Sequence, residues 1–208
     1  MTREDAEKER RRLAALALEV TERRGTEVTR VTLAHEAQVS RARIEAIFPA
    51  ESDLFDAIVE DWFAPDIEIM EEVLASDLPI RRKFYEFYAR RFVREQERYR
   101  RSPDTFALYC ELGTARFEQV RGYIDLADHY LSELVAQAQA EGYFEGLKID
   151  RALTLINQMV VCYTSPQMLM MLEDRLQLDK LAQIIDTMFA GLSAQDGGAR
   201  GVTGLRPA

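Results

Sequence analysis

Apolar residues recur at spacings of three and four along almost the whole chain, while long period-two alternations are absent, so the pattern predicts helices throughout. Leu13, Leu16, Ala17 and Val20 form the stripe of a first helix over about 3–24, with Gly25 as its stop. A second helix is expected over about 31–37 with Thr29 as N-cap. A third opens after the cap Ser40 and ends at Phe48-Pro49. The fourth covers about 52–74, apolar at Leu54, Phe55, Ile58, Val59, Trp62 and Phe63, and Pro65 should kink or interrupt it. Asp77-Leu78-Pro79 then starts a long helix to about 101, and Ser102-Pro103-Asp104 is the next break. Further helices are expected over about 105–116 and 117–141, followed by a turn between Gly142 and Gly146. Asp150 is read as the cap of a helix carrying Leu153, Ile156, Met159, Val160 and Tyr163, broken at Ser165-Pro166, and a last helix covers about 178–192.

The pattern therefore predicts an all-α protein of about nine helices: three or four short ones in the first 62 residues, then five or six longer ones. That suggests a compact N-terminal head, residues 1–62, on a helical bundle, residues 63–192. Residues 193–208 hold four Gly and few large apolar side chains and are read as a flexible tail.

Composition changes this picture little. With 208 residues, nearly half of them apolar, the chain can build a real core. No apolar run is long enough to span a membrane, and residues 1–12 are too charged for a secretory signal, so the cytoplasm is the expected compartment. Cys110 and Cys162 read as reduced, buried thiols; a redox pair is the alternative, without a CxxC or a basic neighbour to favour it. Charge matters more. The net charge is -9, and residues 1–62 hold 10 basic against 14 acidic side chains, so bulk charge does not mark a nucleic-acid domain. Local arginines such as Arg10, Arg11 and Arg12 can still serve phosphate, because screening cuts off distant acids within about 8–10 Å.

The stretch from Thr29 to Leu54 carries the sharpest motif. Two short helices joined by a tight turn, then a Phe-Pro stop, form the layout of a helix-turn-helix, which sets its second helix in a DNA groove. Leu33, Ala34, Ala37, Val39, Ile44 and Phe48 supply the buried face, and small Ala34 and Ala37 allow close approach. The exposed face of the third helix is then Arg41, Ala42, Arg43, Glu45 and Ala46, where arginine suits guanine edges or phosphate. Leu33-Ala34, Glu36-Ala37, Val39-Ser40, Ile44, Phe48-Pro49 and Asp53-Leu54 resemble the TetR/AcrR family of bacterial transcriptional regulators, as does 15–29 upstream, over about residues 10–62. The resemblance implies a homodimer that binds a near-palindromic double-stranded DNA operator and a small-molecule effector held in the C-terminal bundle, most simply a repressor relieved by that ligand. The competing reading is a dimeric ligand-binding or protein-interaction module of the same fold with weak, conditional or lost DNA binding. The DNA-contacting set is expected to be Arg10, Arg11, Arg12, Thr29, Arg30, Ser40, Arg41, Ala42, Arg43, Glu45 and Ala46. Several positions depart from the family pattern: Gln38 stands at the usual turn Gly, Glu45 at a Tyr and Glu51 at a Lys that contact phosphate, Ala50 at a capping Ser and Arg30 at an apolar residue. Phosphate binding is thereby shifted to the arginines.

Other clusters leave alternatives open. The helix over 80–101 holds nine of the seventeen basic residues after Trp62, either a solvated face paired with acids or an anionic-ligand site through Arg91. The aromatic and Met-rich helices are mostly core, and Tyr88, Arg91, Tyr109, Asn157, Met159 and Tyr163 are the candidates for lining an effector pocket. Asp125, His129 and Glu133 share a helix face, as a solvated stripe or, with a further ligand, a metal site, and the stripe is preferred; no metal or cofactor is expected. His35 should be exposed. There is no phosphate-cradling Gly loop, GxSxG or HExxH, so no enzyme is expected.

Overall fold

The computed structural model describes residues 3–194, which contain helices and no strand. The expected tail lies almost wholly outside the described residues. Ten α-helices follow one another: α1 Arg3–Arg24, α2 Arg30–Glu36, α3 Arg41–Ile47, α4 Glu51–Ala75, α5 Ile80–Arg101, α6 Pro103–Ala115, α7 Phe117–Ala140, α8 Ile149–Thr164, α9 Pro166–Leu172 and α10 Leu178–Leu192, with a short 3₁₀ turn at Glu173–Arg175. The fold is all-α, as the apolar periodicity implied. One helix more than expected comes from α9. The Ser165-Pro166 break does end α8, but the Ser165 hydroxyl accepts from the Met168 amide and Pro166 stands in the first turn, so the same residues start a new helix. Two expectations need correction. Asp150 does not cap α8; Lys148 holds that place and Asp150 lies in the first turn, where its charge suits the helix dipole. Pro65 does not interrupt α4, which runs through it to Ala75. Both cysteines are free and half-buried, not buried.

The described residues form two compact units. One takes in the chain up to Ile67 together with Arg98–Tyr123; the other takes in Glu68–Glu97 together with the chain from Ile124 on.

In the first unit the core is the apolar face of the head: Leu13, Ala14, Ala17 and Val20 of α1, Leu33 and Ala34 of α2, Ile44 of α3, Phe48, and Leu54, Ala57 and Ile58 of α4. Each large side chain fully buried here contributes about 1.5–3 kcal/mol, which helps to fix how the four helices pack. Gly25 ends α1 at φ 66, its amide bonding the Thr21 carbonyl at 2.8 Å. Just before it, Arg23 and Arg24 clasp Glu36 at the end of α2. Desolvation raises the Glu36 carboxyl, but hydrogen bonds and charge from both arginines outweigh it and hold the group below its ordinary range. Trp62 packs against Phe106 and Tyr109 of α6 and lies under the Arg98 guanidinium, 3.8 Å from the ring centre.

In the second unit Phe84, Phe144 and Phe189 form an aromatic cluster, edge-on at 5.1 Å between Phe84 and Phe189. Phe144 is fully buried at φ 56, in the turn between Gly142 and Gly146. On the basic face of α5, Arg81 pairs with Asp186, Arg82 with Glu86, Arg90 with Glu72 and Arg94 with Glu95. Lys83 is buried and donates to the Leu74 carbonyl at 3.0 Å and to Gln137 at 2.9 Å, which satisfies an ammonium that would otherwise be costly there.

Candidate nucleic-acid interface

Helices α2 and α3 are each seven residues long, too short to be stable by themselves, and both are capped by the residues the sequence offered. The Thr29 hydroxyl accepts from the Thr32 amide, and the Ser40 hydroxyl from the Arg43 amide. Between them the chain turns at Gln38, whose φ is 56, and the Val39 amide returns to the Ala34 carbonyl at 3.1 Å. Gln38 thus adopts the left-handed conformation of a turn glycine, at a cost of about 1 kcal/mol or somewhat more.

With Leu33, Ala34, Ile44 and Phe48 buried, Ser40, Arg41, Ala42 and Ala46 are exposed on α3 and Glu45 is partly so. Arg41 and Glu45 pair on this outward face, Nε donating to Oε1 at 2.6 Å, with 69% and 41% of their side chains exposed. Arg43 behaves differently. Its Nε donates to Glu9 of α1 at 3.2 Å and a terminal nitrogen donates to the other Glu9 oxygen, a two-point clamp that ties α3 to α1. Arg10 pairs with Glu60 at 2.5 Å and Arg11 with Glu7 at 3.3 Å, while Arg12 is exposed on the same helix.

Arg30 clasps the loop before α4. A terminal nitrogen donates to the Phe48 carbonyl at 3.1 Å and to the Pro49 carbonyl at 2.5 Å. Glu51 accepts the backbone amide of Arg30 at 3.0 Å and stands 3.2 Å from its Nε. The carboxylate therefore sits on the first amide of α2, where the helix dipole favours it. Asp53 accepts the Ala50 amide at 2.7 Å and so supplies the reaching-back half of a capping box at a site without a capping hydroxyl. The departures at Arg30, Ala50 and Glu51 form one connected set of backbone contacts. Sequence reasoning missed Glu9 and Glu60, because nothing local marks an acid whose partner is dozens of residues away.

The six nominated pocket residues do not share a unit. Tyr109 belongs to the first, against Trp62 at 4.5 Å between ring centres, lining a crevice with Thr21, Phe55 and Leu112. The other five lie in the second. Tyr88 is 2% exposed and its hydroxyl has no hydrogen-bond partner. Burial pushes its phenol well up; the Arg91 charge opposes that rise and Asp128 adds to it. Arg91 lies over the Phe87 ring at 4.2 Å and donates to the Phe87 carbonyl at 2.8 Å. Asn157 donates to Asp128 at 2.8 Å, so Asp128 lies between two nominated residues, another the sequence did not single out. The Tyr163 hydroxyl donates to the Gln177 carbonyl at 3.0 Å, which ties α8 to the start of α10. Met159 is 44% exposed and faces outward. His35 is exposed, as expected, and so are Asp125, His129 and Glu133 along α7. No helix among the described residues is long and apolar enough to cross a membrane.

Residues 81–185 match the family described as tetracyclin repressor-like, C-terminal domain. No curated protein matches the sequence. Among solved structures the chain is similar to one titled Probable transcriptional regulatory protein RHA5900, at 15% identity and a TM-score of 0.45, over 89% of this chain and 99% of that one.

Proposed function

We propose that this chain, which belongs to the tetracyclin repressor-like family of transcriptional regulators, reads double-stranded DNA as a homodimer and acts in the cytoplasm as a ligand-responsive repressor. The observation that carries the proposal is the capped pair α2 and α3, locked by Leu33, Ala34, Ile44 and Phe48, with Ser40, Arg41, Ala42, Glu45 and Ala46 turned outward. Such a helix sets its N-terminal side chains on base edges in the major groove. In this reading residues 1–62 bind DNA, with Arg12, Thr29 and Arg41 as the phosphate- and base-facing groups, and 63–192 dimerise and hold an effector. Helices α8 and α10 form the dimer contact, supported by exposed Met159 and Val161 on α8. Two heads so joined meet half-sites about 34–36 Å apart, or multiples of that, on a near-palindrome. The effector lies near Tyr88, Arg91 and Asp128. By binding one arrangement of the bundle better, it lowers operator affinity by a coupling of about 1–3 kcal/mol.

A second reading is favoured by a specific observation: Arg10, Arg11, Arg30, Arg41 and Arg43 all have carboxylate partners within the head. A dimer of this fold with weak or lost DNA binding would look the same. Titration onto random and genomic-upstream duplexes at low and physiological salt separates the two. A repressor selects particular duplexes over bulk DNA; if none outcompetes bulk DNA at any salt, the second reading stands.

A further inference from the structure

We infer that Glu45 is a specificity-determining residue of the recognition helix, accepting from the exocyclic amine of a cytosine while it orients Arg41 toward a guanine nearby. The inference rests on α3 being the recognition helix. Of the two arginines on α3, Arg43 is held along one edge of its guanidinium by both oxygens of Glu9 on α1. Arg41 is on the outward face, and its Nε is taken by Glu45 at 2.6 Å. That hydrogen bond uses only Nε, so the two terminal nitrogens of this 69% exposed side chain remain as a paired set of donors of the kind that guanine O6 and N7 accept from. Glu45 keeps its second oxygen for another donor.

In the major groove the donors offered by bases are the amines of cytosine and adenine. Adenine sets its N7 acceptor beside that amine, and N7 repels a carboxylate; cytosine presents no acceptor beside its own amine. A phosphate is repelled outright. The chemistry therefore selects cytosine. Four residues of helix rise span about 6 Å, so the guanine and the cytosine lie on neighbouring base pairs, about one or two steps of 3.4 Å apart. Ala42 and Ala46 beside the pair add methyl surface and no competing polar group.

The test is selection from randomised duplexes by the full-length protein, wild type beside Glu45→Gln and Arg41→Ala. Glutamine is isosteric with glutamate and pairs with adenine N6 and N7. Wild type should prefer cytosine at one position per half-site. Glu45→Gln should move that position from cytosine to adenine by about tenfold or more and leave the other positions unchanged. Arg41→Ala should lose the guanine preference one or two steps away. If Glu45→Gln instead tightens all sequences equally, Glu45 only repels phosphate and the inference is overturned while the DNA-reading proposal stands. If wild type shows no preference at any position, that proposal falls and the inference with it. Melting curves of each variant show that the head remains folded.

Discussion

Gln38 concentrates a cost in one residue. Its φ of 56 is that of a turn glycine, and an L side chain there is strained by about 1–2 kcal/mol. Glycine relieves the strain but adds freedom to the unfolded chain, worth about 0.4–1 kcal/mol. Gln38→Gly should therefore stabilise the protein by about 0.5–1 kcal/mol, read from the midpoint of urea unfolding. Tyr88 is a second such residue. Its buried hydroxyl has no partner, so Tyr88→Phe should be neutral or stabilise by about 1 kcal/mol. The pH dependence has a definite sign. An unfolded tyrosine loses its proton near about pH 10, and burial holds the folded Tyr88 above that. Above about pH 10 the unfolded state binds fewer protons, so stability falls as pH rises. Unfolding of the variant at pH 8 and pH 11 should show a smaller loss than wild type; an equal loss would mean that another group, such as Tyr109, dominates.

The helix pair α2 and α3 is the element on which the proposed function depends, and most of it was legible. The capping residues Thr29 and Ser40, the stop at Phe48-Pro49 and the buried face follow from local chemistry and from a 3.6-residue period. Glu51 was not legible. It read as a lost phosphate contact, whereas it accepts the Arg30 amide that opens α2. Glu51→Ala should cost about 0.5–2 kcal/mol, as loss of a helix cap does, while Glu51→Lys would add repulsion at the dipole's positive end. Thermal unfolding of both variants checks the order, Lys below Ala below wild type. The interruption expected at Pro65 does not occur, for a different reason. A proline inside a helix removes one hydrogen bond, but packing along a helix such as α4, buried at Met70 and Val73, outweighs that loss.

For the whole molecule, the expected salt dependence follows from the ion pairs of the head. Each phosphate neutralised contributes about 0.9 to the slope of log affinity against log salt. Arginines already held by Glu9, Glu60, Glu51 and Glu45 release fewer counterions, so the slope should be shallow and specificity should come from base edges. Measured slopes near those of strongly basic repressors would show that these pairs break on DNA. Dimerisation has its own check. Val161→Asp on the exposed face of α8 should shift the protein to monomer in sedimentation and remove binding to the two-half-site duplex together. Loss of only one of the two would place the dimer contact elsewhere.

What the sequence by itself determined is the set of local facts: where helices start and stop, which stripe of each is apolar, and which two short helices are joined by the tight turn. These depend on residues within about a turn of one another, so a period and a cap reveal them. The tertiary structure alone decided which arginines remain available. Arg43 meets Glu9, Arg10 meets Glu60 and Arg30 meets the loop before α4 across 34, 50 and 18 or more residues of chain. An ion pair is set by distance in space, and many acids compete for each arginine along a chain with 36 of them. Folding selects the partner, and on α3 it leaves the pair Arg41 and Glu45 outward.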